Sequence, residues 1–226
     1  MHIEPGVVVG AKLGLSYVTA AGGFAYAAKL ARDTIKQDGV APFAVRSVIT
    51  TALVFCFFQV FPHYPVGVSE VHLILGSTLF LMFGAGPAAV GLALGLLAQG
   101  ALFVPADLPQ YGMNVTTLLV PLMALSALAQ RIIPPNTAYK DVKYRQALAL
   151  STTYQGGVVC WVAFWAFYGQ GFGAANLLHV ATFGAAYMTV IIIEPLVDLA
   201  VLGAAKSLYQ LADSKVFHGR LYRAAA

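Results

Sequence analysis

Apolar positions in this chain come in long unbroken stretches, with little sign of the one-face periodicity of a surface helix. Six of them, at about 7–28, 43–61, 86–104, 114–132, 147–168 and 176–203, are separated by short polar segments. A helix needs roughly 20 predominantly apolar residues to cross about 30 Å of hydrocarbon, and each run meets that length. A further run, 72–83, is shorter and ends at Gly84-Ala85-Gly86-Pro87, a turn signal. It reads either as a short seventh span or as one arm of a tight helical hairpin. The hairpin is favoured, although length alone does not say whether 72–83 crosses completely. The fold class expected is an all-α polytopic membrane protein with about seven transmembrane helices.

Positive charge along the connections orients these spans. Lys29, Arg32, Lys36 and Arg46 fall in one segment, and Arg131, Lys140, Lys143 and Arg145 in another. Lys206, Lys215, Arg220 and Arg223 fall in the tail. Segments 62–71, 105–113 and 169–175 carry neither Lys nor Arg. Cytoplasmic loops hold the excess of basic residues, so the first three regions are expected inside and the last three outside. Seven crossings satisfy this with the N-terminus outside and the C-terminus in the cytoplasm. Six crossings would place 62–71 and 105–113 on opposite sides.

Composition agrees. Of 226 residues, 59% are hydrophobic and 10% charged, against about 25% charged in a soluble domain. Residues 1–226 are therefore read as a single integral membrane domain, multi-pass in the plasma (inner) membrane of a prokaryote. The net charge of +4 comes from the connecting loops. No basic face of a soluble module is present, so a nucleic-acid partner is excluded. Cys56 and Cys160 lie in apolar runs without a Cys-x-x-Cys spacing, which points to packing. No basic region precedes the first apolar run, so no cleavable signal peptide is expected.

The chemistry concentrates at Met1-His2 and His72. With Met1 as first residue, its α-amine, the deprotonated amide of His2 and the His2 imidazole close two fused chelate rings. The His72 imidazole completes four nitrogens. Such a set suits Ni(II) or Cu(II) and also accepts Co(II). Taken alone, a His at position 2 is usually incidental. Loop charge, however, places Met1, His2 and the loop that delivers His72 on the same side. Glu70, two residues before His72, has the spacing of a carboxylate that orients a ligating imidazole, or it is a solvated loop acid. Ser69 shares that ambiguity. Asn114 opens a span, as a helix cap would. His63, in Phe61-Pro62-His63-Tyr64-Pro65, reads as a solvent-facing loop residue, and His179 as a packing residue in a helix.

Glu194 sits in Ile191-Ile192-Ile193-Glu194-Pro195, where an ionisable group is costly and suggests function. It reads as a kink or partner contact at depth or, with Asp198, as an interfacial group. Small residues recur every fourth position at Thr19, Gly23 and Ala27, at Ser16 and Ala20, and at Gly10 and Gly14, a pattern that permits close helix approach. These rows serve either a partner surface or packing within the bundle.

Several stretches resemble the cobalt and nickel substrate-binding membrane component of energy-coupling-factor transporters. They are Met1-His2-Ile3, Ser69-Glu70-Val71-His72-Leu73-Ile74-Leu75-Gly76, Gly86-Pro87, Leu97-Ala98-Gln99-Gly100-Ala101-Leu102-Phe103 and Gly112-Met113-Asn114-Val115. The resemblance implies Met1, His2 and His72 as metal ligands, Asn114 near the site, and Co2+ or Ni2+ as transported substrate without a prosthetic group. Cobalt is favoured on those grounds only. It also implies a transmembrane coupling protein and two ATPase subunits as partners, with the need for a small accessory membrane subunit left open. The chain itself carries no Gly-x4-Gly-Lys-Ser/Thr. It departs from the family in Glu4-Pro5-Gly6, in the 104–111 turn and at Glu70. Two rivals are an ion-coupled secondary transporter using Glu194 and, lower, a membrane-embedded hydrolase using His63, Glu70 and His72. The second lacks the helical His pair of a zinc enzyme.

Overall fold

The computed structural model describes residues 3–134, 137 and 141–207, with side chains through residue 204. Met1, His2, Lys140 and the tail cations Lys206, Lys215, Arg220 and Arg223 therefore lie outside the residues whose side chains are described. The described chain is mostly helical: α1 (Leu13–Asp38), α2 (Val40–Gln59), α3 (Gly76–Phe83), α4 (Ala85–Leu102), α5 (Tyr111–Ile132), α6 (Tyr144–Gln170) and α7 (Ala174–Ser207). Five helices are long and apolar enough to cross a membrane, namely α2, α4, α5 with the turn before it, α6 and α7. The α1 helix, whose second half carries Lys29, Arg32, Asp33, Lys36 and Asp38, is not among them.

Three expectations change. The first run does not begin a helix at residue 7. Val7 and Val8 are buried in a non-helical N-terminal segment, helical geometry starts with a 3-10 turn at Gly10–Lys12, and α1 then continues to Asp38. The apolarity of Val7 and Val8 serves a plug packed against α6, where the Val7 carbonyl leaves no space for a Cβ on Gly169, while Val9 is exposed. Second, the fold is not purely α. Strands β1 (Tyr64–Val66) and β2 (Ser69–Val71) form an antiparallel hairpin that pairs Tyr64 with Val71 and Val66 with Ser69. It turns at Gly67, whose φ of 64° is free of cost only for glycine. Third, only residues 76–83 of the 72–83 run are helical, about 12 Å at 1.5 Å per residue, which is too short to span.

The α3–α4 pair does reverse direction, at Gly84 (φ 91°). The Phe83 carbonyl accepts from Arg46 near the start of α2, and α4 then runs alongside α2 in the same direction. Contacts climb from Thr50 Oγ1 donating to the Pro87 carbonyl (2.7 Å) up to the Gln99–Gln59 side-chain contact. Close approach of α2 and α4 depends on glycines. A Cβ on Gly91 would collide with Thr50 Oγ1, and one on Gly95 would meet Val54 Cγ1 at 2.6 Å.

Both ends of α3 are held by charge. At its N-terminus Glu194 Oε1 accepts the Ile74 (3.0 Å) and Leu75 (2.6 Å) N–H groups. Asp198 accepts the Ser77 hydroxyl at 3.0 Å and the Thr78 hydroxyl. At its C-terminus the Arg46 guanidinium donates to the Phe83 carbonyl (3.2 Å) and pairs with Asp38 at 2.5 Å. Anions at the N-terminus and a cation at the C-terminus match the helix dipole. Glu194 is fully buried, so it sits at depth, and its partner is backbone of the same chain.

The small-residue rows divide. Ser16, Ala20, Gly23 and Ala27 form the buried face of α1, while Gly10 and Gly14 are exposed. Cys56 and Cys160, expected in packing, are both exposed and free.

Candidate metal centre

The hairpin organises the candidate site. Ile3 forms an antiparallel bridge with Ser69, the Glu4 N–H donates to the Val68 carbonyl (3.2 Å), and the Ile3 N–H donates to Asn114 Oδ1 (2.9 Å). Ile3 is fully buried. Three independent contacts thus fix the backbone immediately after His2. Met1 and His2 themselves lie outside the described residues.

Asn114 reaches Ile3 from the first turn of α5. The capping position of that helix is Gln110, which makes no side-chain cap bond, so the cap expected at Asn114 is replaced by a long-range hydrogen bond. A side chain in the first turn of a helix, beside an extended segment that needs an acceptor, supplies what a third strand would otherwise provide.

His72 follows β2 directly and is 1% exposed. Its Nε2 lies 2.9 Å from Glu70 Oε2. In extended chain, residues two apart share a face, which is why this spacing brings them together. The His72 ring meets the Phe58 edge at 5.0 Å and stacks on the His63 ring at 4.8 Å with 14° between planes. The His72 carbonyl accepts from the Tyr187 hydroxyl (3.3 Å). Ser69 is buried and contributes its backbone to the bridge with Ile3.

His63 is therefore not a solvent-facing loop residue. It is half-buried against His72, and its Nδ1 lies 3.1 Å from the Phe61 carbonyl. The signal was in the register. Tyr64 pairs with Val71, so one step further along the ladder sets residue 63 opposite residue 72. The side chain of His179, read as a packing residue, is exposed instead. Its backbone carbonyl lies where a Cβ on Gly67 would be, and it supports the hairpin turn.

Carboxylates surround the strand entry. Burial raises the Glu4 carboxyl above its ordinary range, and the negative charges of Glu70 and Asp107 add to the rise. An acidic rim of this kind favours approach of a cation. Gln99, from the fourth resembling stretch, is buried and donates from Nε2 to Gln59 Oε1. Among the described residues no group of three or more His, Cys, Asp or Glu side chains converges on a metal position. His72, 2.9 Å from the Glu70 carboxylate, directly follows the strand that pairs with Ile3.

Comparison with known proteins extends this picture. A family model for the cobalt uptake substrate-specific transmembrane region matches residues 2–210. A crystal structure of a transition metal transporter is similar in fold, with a TM-score of 0.64 at 16% sequence identity, covering 93% of this chain and 94% of the other. No curated protein matches the sequence at a significant level.

Proposed function

Because the chain belongs to the family of cobalt uptake substrate-specific transmembrane regions, we propose that it captures a divalent transition-metal ion at the outer face, cobalt in preference to nickel. Membership makes it a multi-pass plasma-membrane protein of metal uptake, a transporter and not an enzyme. In the proposed site the metal is bound by the Met1 amine, the His2 amide and imidazole, and the His72 imidazole. Asn114 holds the strand that presents the N-terminus, and Glu70 orients the His72 ring. The observation that carries this reading is the anchoring of Ile3 beside β2, the strand that leads into His72.

Uptake is driven by ATP through separate subunits, a transmembrane coupling protein and two ATPases. The proposed arrangement has seven crossings, with the N-terminus outside and the C-terminus in the cytoplasm; α3 makes one of them only together with the non-helical residues 72–75 before it. The ion-coupled alternative needs Glu194 as an exchanging carboxylate, whereas its Oε1 is engaged by two backbone N–H groups. Inactivating the ATPases should stop uptake, and uptake that continues would favour the alternative.

The deciding experiment is calorimetric titration of Co(II) and Ni(II) into protein with Met1 first, beside a version with one extra residue before Met1. Tight binding is expected only in the first, with Co(II) the tighter ion. Equal binding in both would remove the terminal chelate. Affinity should fall on acidification, because amine and imidazole must lose protons to bind.

A further inference from the structure

The α7 helix follows the segment 67–78 along its length. Its His179 carbonyl supports Gly67, and the Tyr187 hydroxyl donates to the His72 carbonyl. Glu194 takes the N–H groups of Ile74 and Leu75, and Asp198 takes the hydroxyls of Ser77 and Thr78. Residues 72–75 belong to no helix or strand. Their backbone is nonetheless buried, with Ile74 at 0% and Leu75 at 6% exposure. Buried N–H groups need acceptors. The α3 N-cap is Leu75, which has no side-chain acceptor, and it adopts the left-handed conformation (φ 54°, ψ 34°). Such a conformation in a residue other than glycine persists only where its surroundings enforce it. At this position the Glu194 carboxylate accepts the Leu75 N–H, at the positive end of α3.

We propose that Glu194 is a positioning residue for the metal site: by binding Ile74 and Leu75 it fixes the segment that carries His72. A single residue, Leu73, separates His72 from Ile74, at most about 7 Å of chain, so freedom at the cap passes directly to the imidazole. Tyr187 holds the same segment from His72 itself. This inference rests on the reading of His72 as a ligand.

Its test is Co(II) calorimetry on the full chain with Met1 first, comparing wild type, H72A, E194L, E194Q, Y187F and the packing control V158A. Val158 is fully buried on α6. H72A should abolish tight binding. E194L should weaken Kd by about ten-fold or more, the usual effect of losing an outer partner of a ligand. E194Q, which keeps a carbonyl acceptor, should recover most of that loss. V158A should lower Tm without moving Kd. If E194L does not fold, Y187F decides, with a Kd a few-fold weaker at unchanged Tm. Wild-type Kd in E194L or Y187F, with binding lost in H72A, overturns the inference alone. So does V158A weakening Kd as much as E194L at equal loss of Tm. Absence of binding in wild type removes the ligand reading instead.

Discussion

Asn114 shows how one side chain can substitute for a strand. Its Oδ1 satisfies the buried Ile3 N–H at a sequence separation of 111 residues. N114A should cost about 1–3 kcal/mol, the penalty for a buried unsatisfied donor. It should weaken Co(II) binding as well, since the chain leading to His2 loses an anchor; Tm and calorimetry on the same preparation check both. Glu4 offers a test of opposite sign. Its carboxyl is raised by burial and by Glu70 and Asp107, so folding favours the protonated form. That preference costs stability as pH rises above the ordinary carboxylate range, and the cost disappears in acid. E4Q should therefore have a higher Tm than wild type at neutral pH, with the gap closing on acidification. A gap that widens in acid would contradict the acidic rim.

Helix contacts in this protein are made close by glycine, because lipid provides no hydrophobic drive between helices and packing must do so. Gly91 and Gly95 place α4 against Thr50 and Val54 of α2. G91A should destabilise by roughly 1–3 kcal/mol, as overpacking does. Gly156 on α6 is the matched comparison, since a Cβ there would meet nothing within 4 Å among the described residues. G156A should be neutral or slightly stabilising, by up to about 1 kcal/mol from helix propensity. Thermal unfolding of both variants in one detergent tests the difference. The short α3 helix follows another rule: eight residues form a marginal helix, and Glu194, Asp198 and Arg46 supply from α7 and α2 the caps it lacks.

For the molecule as a whole, the hairpin, the N-terminal plug and α7 make one assembly around His72. Its parts come from residues 3–8, 63–75, 114 and 179–198. A ligand that binds only the folded state raises stability by mass action, about 2.7 kcal/mol at a hundred times Kd. Co(II) should accordingly raise Tm with concentration in the chain that begins at Met1. The version with one residue added before Met1 should show a much smaller rise.

Apolar run length and composition were enough to identify a polytopic membrane protein. These are local properties: hydrocarbon thickness sets the run length, and a helical hairpin turn is written in Gly84-Ala85-Gly86-Pro87. The Glu70–His72 contact was legible for the same reason, because residues two apart share a face in extended chain. The β-hairpin was not, and with it went His63, whose place opposite His72 depends on strand register. The run at 7–9 looked like the start of a span, although the burial of Val7 and Val8 comes from packing as a loop against α6. Glu194 stood out as costly, but its purpose depended on two N–H groups 119 and 120 residues away. Hydrogen-bond partners at that separation leave no periodic trace in a sequence, and only the folded chain decides which buried acceptor meets which buried donor.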